Sequence, residues 1–259
     1  MTMKTMSLAT SLTALMAAPA LADTAIGLAG DRTLVTIDLE TAEVTGMQDA
    51  DYDGRILGID FRPATNTVIA VTDEFAVVNL DPETGEWTLV VEMSEGMEIG
   101  DDAPVIVDIN PVPDALRFMS GTTNHRINLT TGAVMIDGEL HFGDDTDGTP
   151  MVGGTAYSNS FGSPDETTMF NIDTDLAAML IQTAPNDGIN EMHGALDVAF
   201  DGPIGFDIVT DSDGMNTGWL SANGALHTVS LEEGGITNSW EIEGLDVTLR
   251  DITILPTMD

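Results

Sequence analysis

"LRDITILP", residues 249–256, alternates apolar and polar residues and then meets a proline, which reads as a single β-strand. No strand follows it, so its partner must lie far back in the chain. At the other end, TAIGLAG (24–30) leads into LVTIDLETAEVTG (34–46), a hairpin that lacks a strand on its inner side. The two ends therefore complete one another.

The same hairpin pattern recurs four more times, as FAVVNLDPETGEWTLV (75–90), HRINLTTGAVMI (125–136), MFNIDTDLAAMLI (169–181) and LHTVSLEEGGITNSW (226–240). Each has two β-rich runs around a polar turn. Anchored on Asp38, Asn79, Asn128, Asp173 and Ser230, the spacings are 41, 49, 45 and 57 residues, about the length of a four-stranded propeller blade. Ahead of the last four hairpins lie further strand pairs, ILGIDFRPATNTVIAVT (56–72), VIVDINPVPDALRFMSG (105–121), GGTAYSNSFGSPDETTMF (153–170) and ALDVAFDGPIGFDIVTD (195–211). If 249–256 joins the first hairpin's sheet, every set has four strands. The prediction is an all-β, five-bladed β-propeller with four-stranded antiparallel blades, closed by N- and C-terminal strands sharing one blade. A β-sandwich or an open solenoid of the same hairpins is the alternative, and the complementary ends weigh against both.

Gly58-Ile59-Asp60-Phe61, Pro63 and Thr65, followed by Leu80-Asp81, Thr84 and Gly85, resemble the repeat unit of an uncharacterised, mostly bacterial exported family, domain of unknown function 4394. DINPVPDALRFMS and the stretch from AYSNSFG to PNDG extend the similarity over nearly all of the chain. The resemblance implies the family but no activity. The chain departs from the family pattern in the Asp loading of its loops.

Residues 1–22 combine a cation at Lys4, an apolar run from Leu8 to Ala18 and Ala20-Leu21-Ala22, the order of a secretory leader. The expectation is one exported β-propeller domain over 23–259, periplasmic or extracellular, with no membrane insertion because no later run is long enough. Lys4 is the only lysine, and six arginines face 44 acidic residues in a chain of net charge −37. Such a polyanion repels nucleic acid and anionic membranes. The 42% hydrophobic content and its patterning argue against disorder. Cysteine is absent, so stability must come from core size and repetition.

Aligning the expected innermost strands places Asp60, Asp108, Ala156, Asp197 and Asp251 at one level. Four carboxylates there can hold a cation, act as an acid and base pair as in glycoside hydrolysis, or accept backbone hydrogen bonds from the next blade. Acidic loops precede those strands, and Asp-x-Asp-Gly elements end at Gly54, Gly148 and Gly214. These would gather Asp49, Asp51, Asp53, Asp145, Asp147, Asp211 and Asp213 on one face, as oxygen ligands for calcium. DADYDGRILGID (49–60) matches an EF-hand loop in spacing, but its second half is strand-like and Pro63 follows, so an acidic loop merely abuts a strand Asp. His141 and His193 adjoin two acidic loops, without the close spacing of a metal pair. Trp219, beside DSDGMN (211–216), could stack on a ligand, whereas Trp87 and Trp240 are expected to pack between blades. Phosphate loops, nucleophile elbows and zinc motifs are absent, and the lack of lysine and cysteine in the mature chain excludes Schiff-base and thiolate chemistry.

These features favour a monomeric binding or interaction module for a small molecule, glycan or protein, with no required cofactor and with calcium as a stabilising ion. Two alternatives stay open: a glycoside-type hydrolase using Asp60, Asp108, Asp197 and Asp251, and a scaffold without a ligand.

Overall fold

A strand between two neighbouring sheets has both faces covered, so it reads as a continuous apolar run, whereas an outer strand faces water and need not. The computed structural model describes residues 24–101, 103–143 and 148–256, and divides its strands in this way. Residues 1–23, which include the expected leader, and Asp145 and Asp147 lie outside the described residues.

In chain order the strands are β1 (Thr24–Ala29), β2 (Thr33–Asp38), β3 (Glu43–Asp49), β4 (Ile56–Arg62), β5 (Thr67–Thr72), β6 (Ala76–Leu80) and β7 (Trp87–Glu92). Then follow β8 (Ile106–Asn110), β9 (Ala115–Ser120), β10 (Thr123–Asn128), β11 (Val134–Ile136), β12 (His141–Phe142), β13 (Val152–Tyr157) and β14 (Met169–Asp173). The last seven are β15 (Ala178–Ala184), β16 (Ile189–Ala195), β17 (Gly205–Thr210), β18 (Asn216–Ala222), β19 (Ala225–Val229), β20 (Ile236–Glu241) and β21 (Leu249–Leu255). Strand β5 is buried from Val68 to Thr72, while β3 and β20 have no fully buried residue.

Five sheets result, β21-β1-β2-β3 (blade I), β4 to β7 (blade II), β8 to β11 (blade III), β13 to β16 (blade IV) and β17 to β20 (blade V). The innermost strands pack on one another in the cycle β21, β4, β8, β13, β17. The chain is thus a five-bladed propeller, closed where β21 pairs antiparallel with β1 from Thr24↔Leu255 to Ala29↔Leu249. Blade IV carries a fifth strand, β12, from the preceding connector and parallel to β16.

Two segments differ from the sequence expectation. MFNIDTDLAAMLI forms β14 and β15, the middle pair of blade IV, not its outer hairpin. The outer turn is instead Pro185-Asn186-Asp187-Gly188. In blade V, Val198 to Phe200 are irregular, and GFDIVT is innermost rather than second. Both slips arise because Asp173 forms the same side-chain-capped turn, accepting the amides of Asp175 and Leu176, as Asp38 and Asn128 do in the outer hairpins.

Each outer-hairpin turn packs against the exit of the preceding blade's outermost strand. Asp51 N donates to Gly85 O at 2.8 Å, Ser94 N to Gly132 O at 2.8 Å, and Val44 N to Glu243 O at 2.9 Å. At Gly132, φ is +71° and a Cβ would overlap the carbonyl oxygen of Glu92. Glycine at position 132 is therefore required twice, by a left-handed backbone and by the neighbouring blade, whereas Ala42 takes the equivalent place in blade I at φ +56°. Five apolar clusters fill the five seams. The one between blades III and IV is the smallest, with Ile106, Met119, Leu140, Val152, Tyr157 and Met169.

Candidate functional site

The inner strands run parallel around the axis, so an Asp at a fixed place on one of them faces the backbone of the next. Asp251 Oδ2 accepts Ile59 N at 2.8 Å, Asp60 Oδ2 accepts Ile109 N at 2.6 Å, Asp108 Oδ1 accepts Tyr157 N at 3.2 Å, and Asp207 Oδ2 accepts Ile254 N at 2.5 Å. Four of the five seams are bridged in this way. Ala156 occupies the corresponding place in blade IV and leaves the seam to blade V without such a bridge.

Asp60, Asp108 and Asp207 share one layer and offer carboxylate oxygens that lie within 4.8 Å of one another. Their exposures are 5%, 4% and 8%, which excludes bulk solvent from all three. Thr253 completes the layer, its Oγ1 accepting Phe61 N at 2.8 Å and lying 3.1 Å from both Asp60 Oδ1 and Asp207 Oδ2. One hydroxyl proton can serve only one of those two carboxylates. None of the six arginines forms an ion pair with these three acids among the described residues. Beneath the layer is a cavity of about 10 Å³ bordered by Tyr157, Ser160 and Pro256, room for one water-sized occupant.

Two sequence assignments change. Asp197 is exposed, with φ +55°, in the connector after β16, and Asp207 takes the ring position expected of it. The signal was present in GFDI (205–208), which repeats the Gly-apolar-Asp-apolar order of GIDF (58–61). Asp251 lies one layer above the other three, beside Gly58, and Thr253 occupies its expected level.

The sequence model of the family described as domain of unknown function (DUF4394) matches residues 31–253. The chain belongs to the DUF4394 family. No curated protein matches it in sequence. In structure the DUF4394 chain is similar to a protein of unknown function from Bacteroides caccae, with 10% identity, coverage of 88% of this chain and 77% of the other, and TM-score 0.44. It is also similar to a structural genomics protein of unknown function from Bacteroides thetaiotaomicron, with 13% identity, coverage of 93% and 66%, and TM-score 0.50. An auxiliary nutrient binding protein from the same organism has 12% identity, coverage of 84% and 56%, and TM-score 0.47. These likenesses concern the fold alone.

Burial without a cationic partner sets the electrostatics of this DUF4394 centre. Desolvation, then repulsion from Asp207, pushes Asp60 well above the usual carboxylate range, and Asp108 rises through desolvation and then repulsion from Asp60 and Asp207. Desolvation raises Asp207 to about 6 and Asp251 to about 8. A carboxyl whose folded pKa is raised binds more protons folded than unfolded, so its stabilising effect is lost as pH rises from about 4 through the folded value. In chelator, at constant salt, the melting temperature is expected to fall by about 5 °C or more between pH 5 and pH 8. Ordinary surface carboxylates are ionised at both ends of that range. Asp207→Asn should flatten the fall, and an unchanged slope would place its origin elsewhere.

The acidic loops of the DUF4394 chain divide between faces. Asp49, Asp51 and Asp53 precede β4 on the face where inner strands begin, whereas Asp211 and Asp213 lie in the β17–β18 turn on the opposite face. Because consecutive strands cross the blade in opposite directions, taking GFDIVT as a second rather than a first strand reverses the face. Asp49 accepts the Thr33 hydroxyl at 2.7 Å, and Asp53 lies 3.8 Å from Arg32. His141 bonds the Phe142 carbonyl and His193 the Leu231 carbonyl. Trp219 is 9% exposed with its ring 6.0 Å from Trp240, so it is core rather than a stacking surface. The exposed indoles are Trp87 and Trp240. Among the described residues no helix is long and apolar enough to cross a membrane.

Proposed function

We propose that the protein is an exported binding module that holds a neutral or cationic polyhydroxylated ligand, such as a glycan, at the seam of blades I and II. The observation that carries this reading is a groove of about 820 Å³ lined by Trp87, Asp51, Asp81, Glu83, Glu86 and Asn79. Its volume lies in the range of ligand sites. Trp87 is 39% exposed and already held, its Nε1 donating to Asp51 O at 2.7 Å and its ring edge-on to Tyr52 at 5.8 Å. A pinned indole offers a flat apolar face at little ordering cost, while the surrounding carboxylates and amide suit hydroxyl and amino donors and repel anions. No arginine lines the groove.

The inner carboxylates do not favour the hydrolase reading. A sugar ring cannot reach Asp60, Asp108 or Asp207 through a cavity the size of one water. Export rests on the leader pattern of residues 1–22.

Calorimetric titration with cellohexaose, a chitosan hexamer and an oligogalacturonate tests the reading. Binding is expected for one of the first two and not for the anionic oligomer, with Trp87→Ala weakening it about tenfold or more. Failure of both to bind, or equal affinity of the Trp87→Ala variant, would overturn it.

A further inference from the structure

We propose that the seam of blades V and I holds a second ligand site, for a small uncharged molecule with an apolar ring and a hydroxyl group, as in a phenol. The site is a cavity of about 320 Å³ on the face where inner strands begin. It is separate from the groove at blades I and II and does not depend on it. Ser221 on β18 and Ala225 on β19 form one wall, and the irregular connector from β20, with the start of β21, forms the other through Ile242, Leu245, Val247 and Leu249.

A cavity alone would not identify a ligand. What points to one is Ser221, 2% exposed, whose Oγ has no hydrogen-bond partner among the described residues. Its cross-strand neighbours are Gly205 and Leu226, so neither adjacent strand offers it a polar side chain. Two residues from Trp219, it lies on the strand face whose apolar cluster contains Leu226, Leu249 and Ile252, the cavity's side of the sheet. A buried hydroxyl left unpaired is costly, and a ligand hydroxyl can donate to it or accept from it. His227 Nε2 is the other such atom, but that ring still bonds Ser239 Oγ through Nδ1 at 2.7 Å.

The rest of the lining sets the ligand's character. The volume is roughly twice that of a cavity that admits benzene, so one ring with short substituents fits. No cationic side chain lines the cavity and Asp201 stands exposed at its rim, which disfavours anions. Arg250, next to Leu249, has its guanidinium on the carbonyls of Gly30, Ile56 and Leu57 instead. The mouth is fixed on two sides. Asn223 accepts Asp201 N at 2.9 Å and donates to Ala199 O at 2.8 Å, and Ile242 N donates to Gly224 O at 3.0 Å. A preformed mouth keeps the ordering cost of binding low.

Calorimetric titration of the full chain at pH 7 with p-cresol, toluene and p-toluate tests the site, because the three share a ring and a methyl group and differ in the polar group. One p-cresol per chain is expected, with a Kd of about 1 mM or tighter, toluene about fivefold weaker or more, and no binding of the anion. Ser221→Ala should bind p-cresol and toluene equally. It should also melt no lower than the native chain, because it removes a hydroxyl that has no partner. Absence of p-cresol binding, equal affinity of the native chain for p-cresol and toluene, or p-toluate binding as tightly as p-cresol would each overturn the site. So would a preference for p-cresol that persists in Ser221→Ala, or a lower melting temperature of that variant.

Discussion

A chain ending at Thr248 is expected to lose its cooperative unfolding transition and its near-ultraviolet circular dichroism. Strand β21 is the innermost strand of blade I and touches both neighbouring inner strands, β4 and β17. Its Leu249, Ile252 and Ile254 are 6%, 2% and 1% exposed. Burial of three such side chains contributes about 5–9 kcal/mol, comparable to the whole net stability of an ordinary domain. Removal also deletes Asp251, which bridges to Ile59 N, and Ile254 N, which Asp207 bridges to. Arg250 goes too, and with it the contacts its guanidinium makes to the carbonyls of Gly30, Ile56 and Leu57. Adding a peptide of residues 249–259 in trans should restore part of the signal. A truncated chain that still melts cooperatively would show that the ring does not need this strand to close.

Arg117→Ala is expected to cost about 3 kcal/mol or more, a fall of about 6–12 °C in melting temperature. Arg117 is 1% exposed, unusual for the residue type, and sits on β9 at the seam with the smallest apolar cluster. Its guanidinium reaches Tyr157 Oη at 3.2 Å, Asn124 Oδ1 at 2.7 Å and Asp137 Oδ2 at 2.8 Å, with Asn186 Oδ1 at 3.4 Å. Blades III and IV are thus joined by a buried polar network at the seam with the smallest apolar cluster. Asp137 keeps its pair with Arg126, so the loss falls on Asn124 within blade III and on the bonds to Tyr157 and Asn186 that cross the seam. Arg117→Met, which fills the volume without the bonds, should cost less than Arg117→Ala. Urea unfolding of the three proteins decides this, and a loss under about 1 kcal/mol for Arg117→Ala would mean that the seam holds without the network.

Which features were legible in the chain follows from how far their causes reach. Turn chemistry is local: Asp38, Asp81 and Asn128 cap their turns through amides two and three residues onward, so the hairpins at 34–46, 75–90 and 125–136 stand where their pattern places them. Asp173 caps a turn in the same way, yet that turn joins the second and third strands of blade IV. No local signal separates the two cases, because they differ only in which strands pair. That ambiguity carried Asp197 toward the axis in place of Asp207, and Asp211 and Asp213 to the wrong face. Arg117 gave no sign of burial in the sequence, since Tyr157 and Asn186, which help enclose it, come from the next blade.

The sequence by itself determined the all-β class, the five repeats, the closure by residues 249–256 and the polyanionic charge, because periodicity and turn residues are properties of adjacent positions and the strand each end lacks can be counted without knowing the packing. The tertiary structure alone decided that three buried aspartates converge within 4.8 Å while a fourth stands one layer above, that Trp219 is core, and that Trp87 faces an open groove. Those outcomes depend on the register of inner strands about the axis, where a shift of one strand reverses a face and a shift of two residues changes a layer.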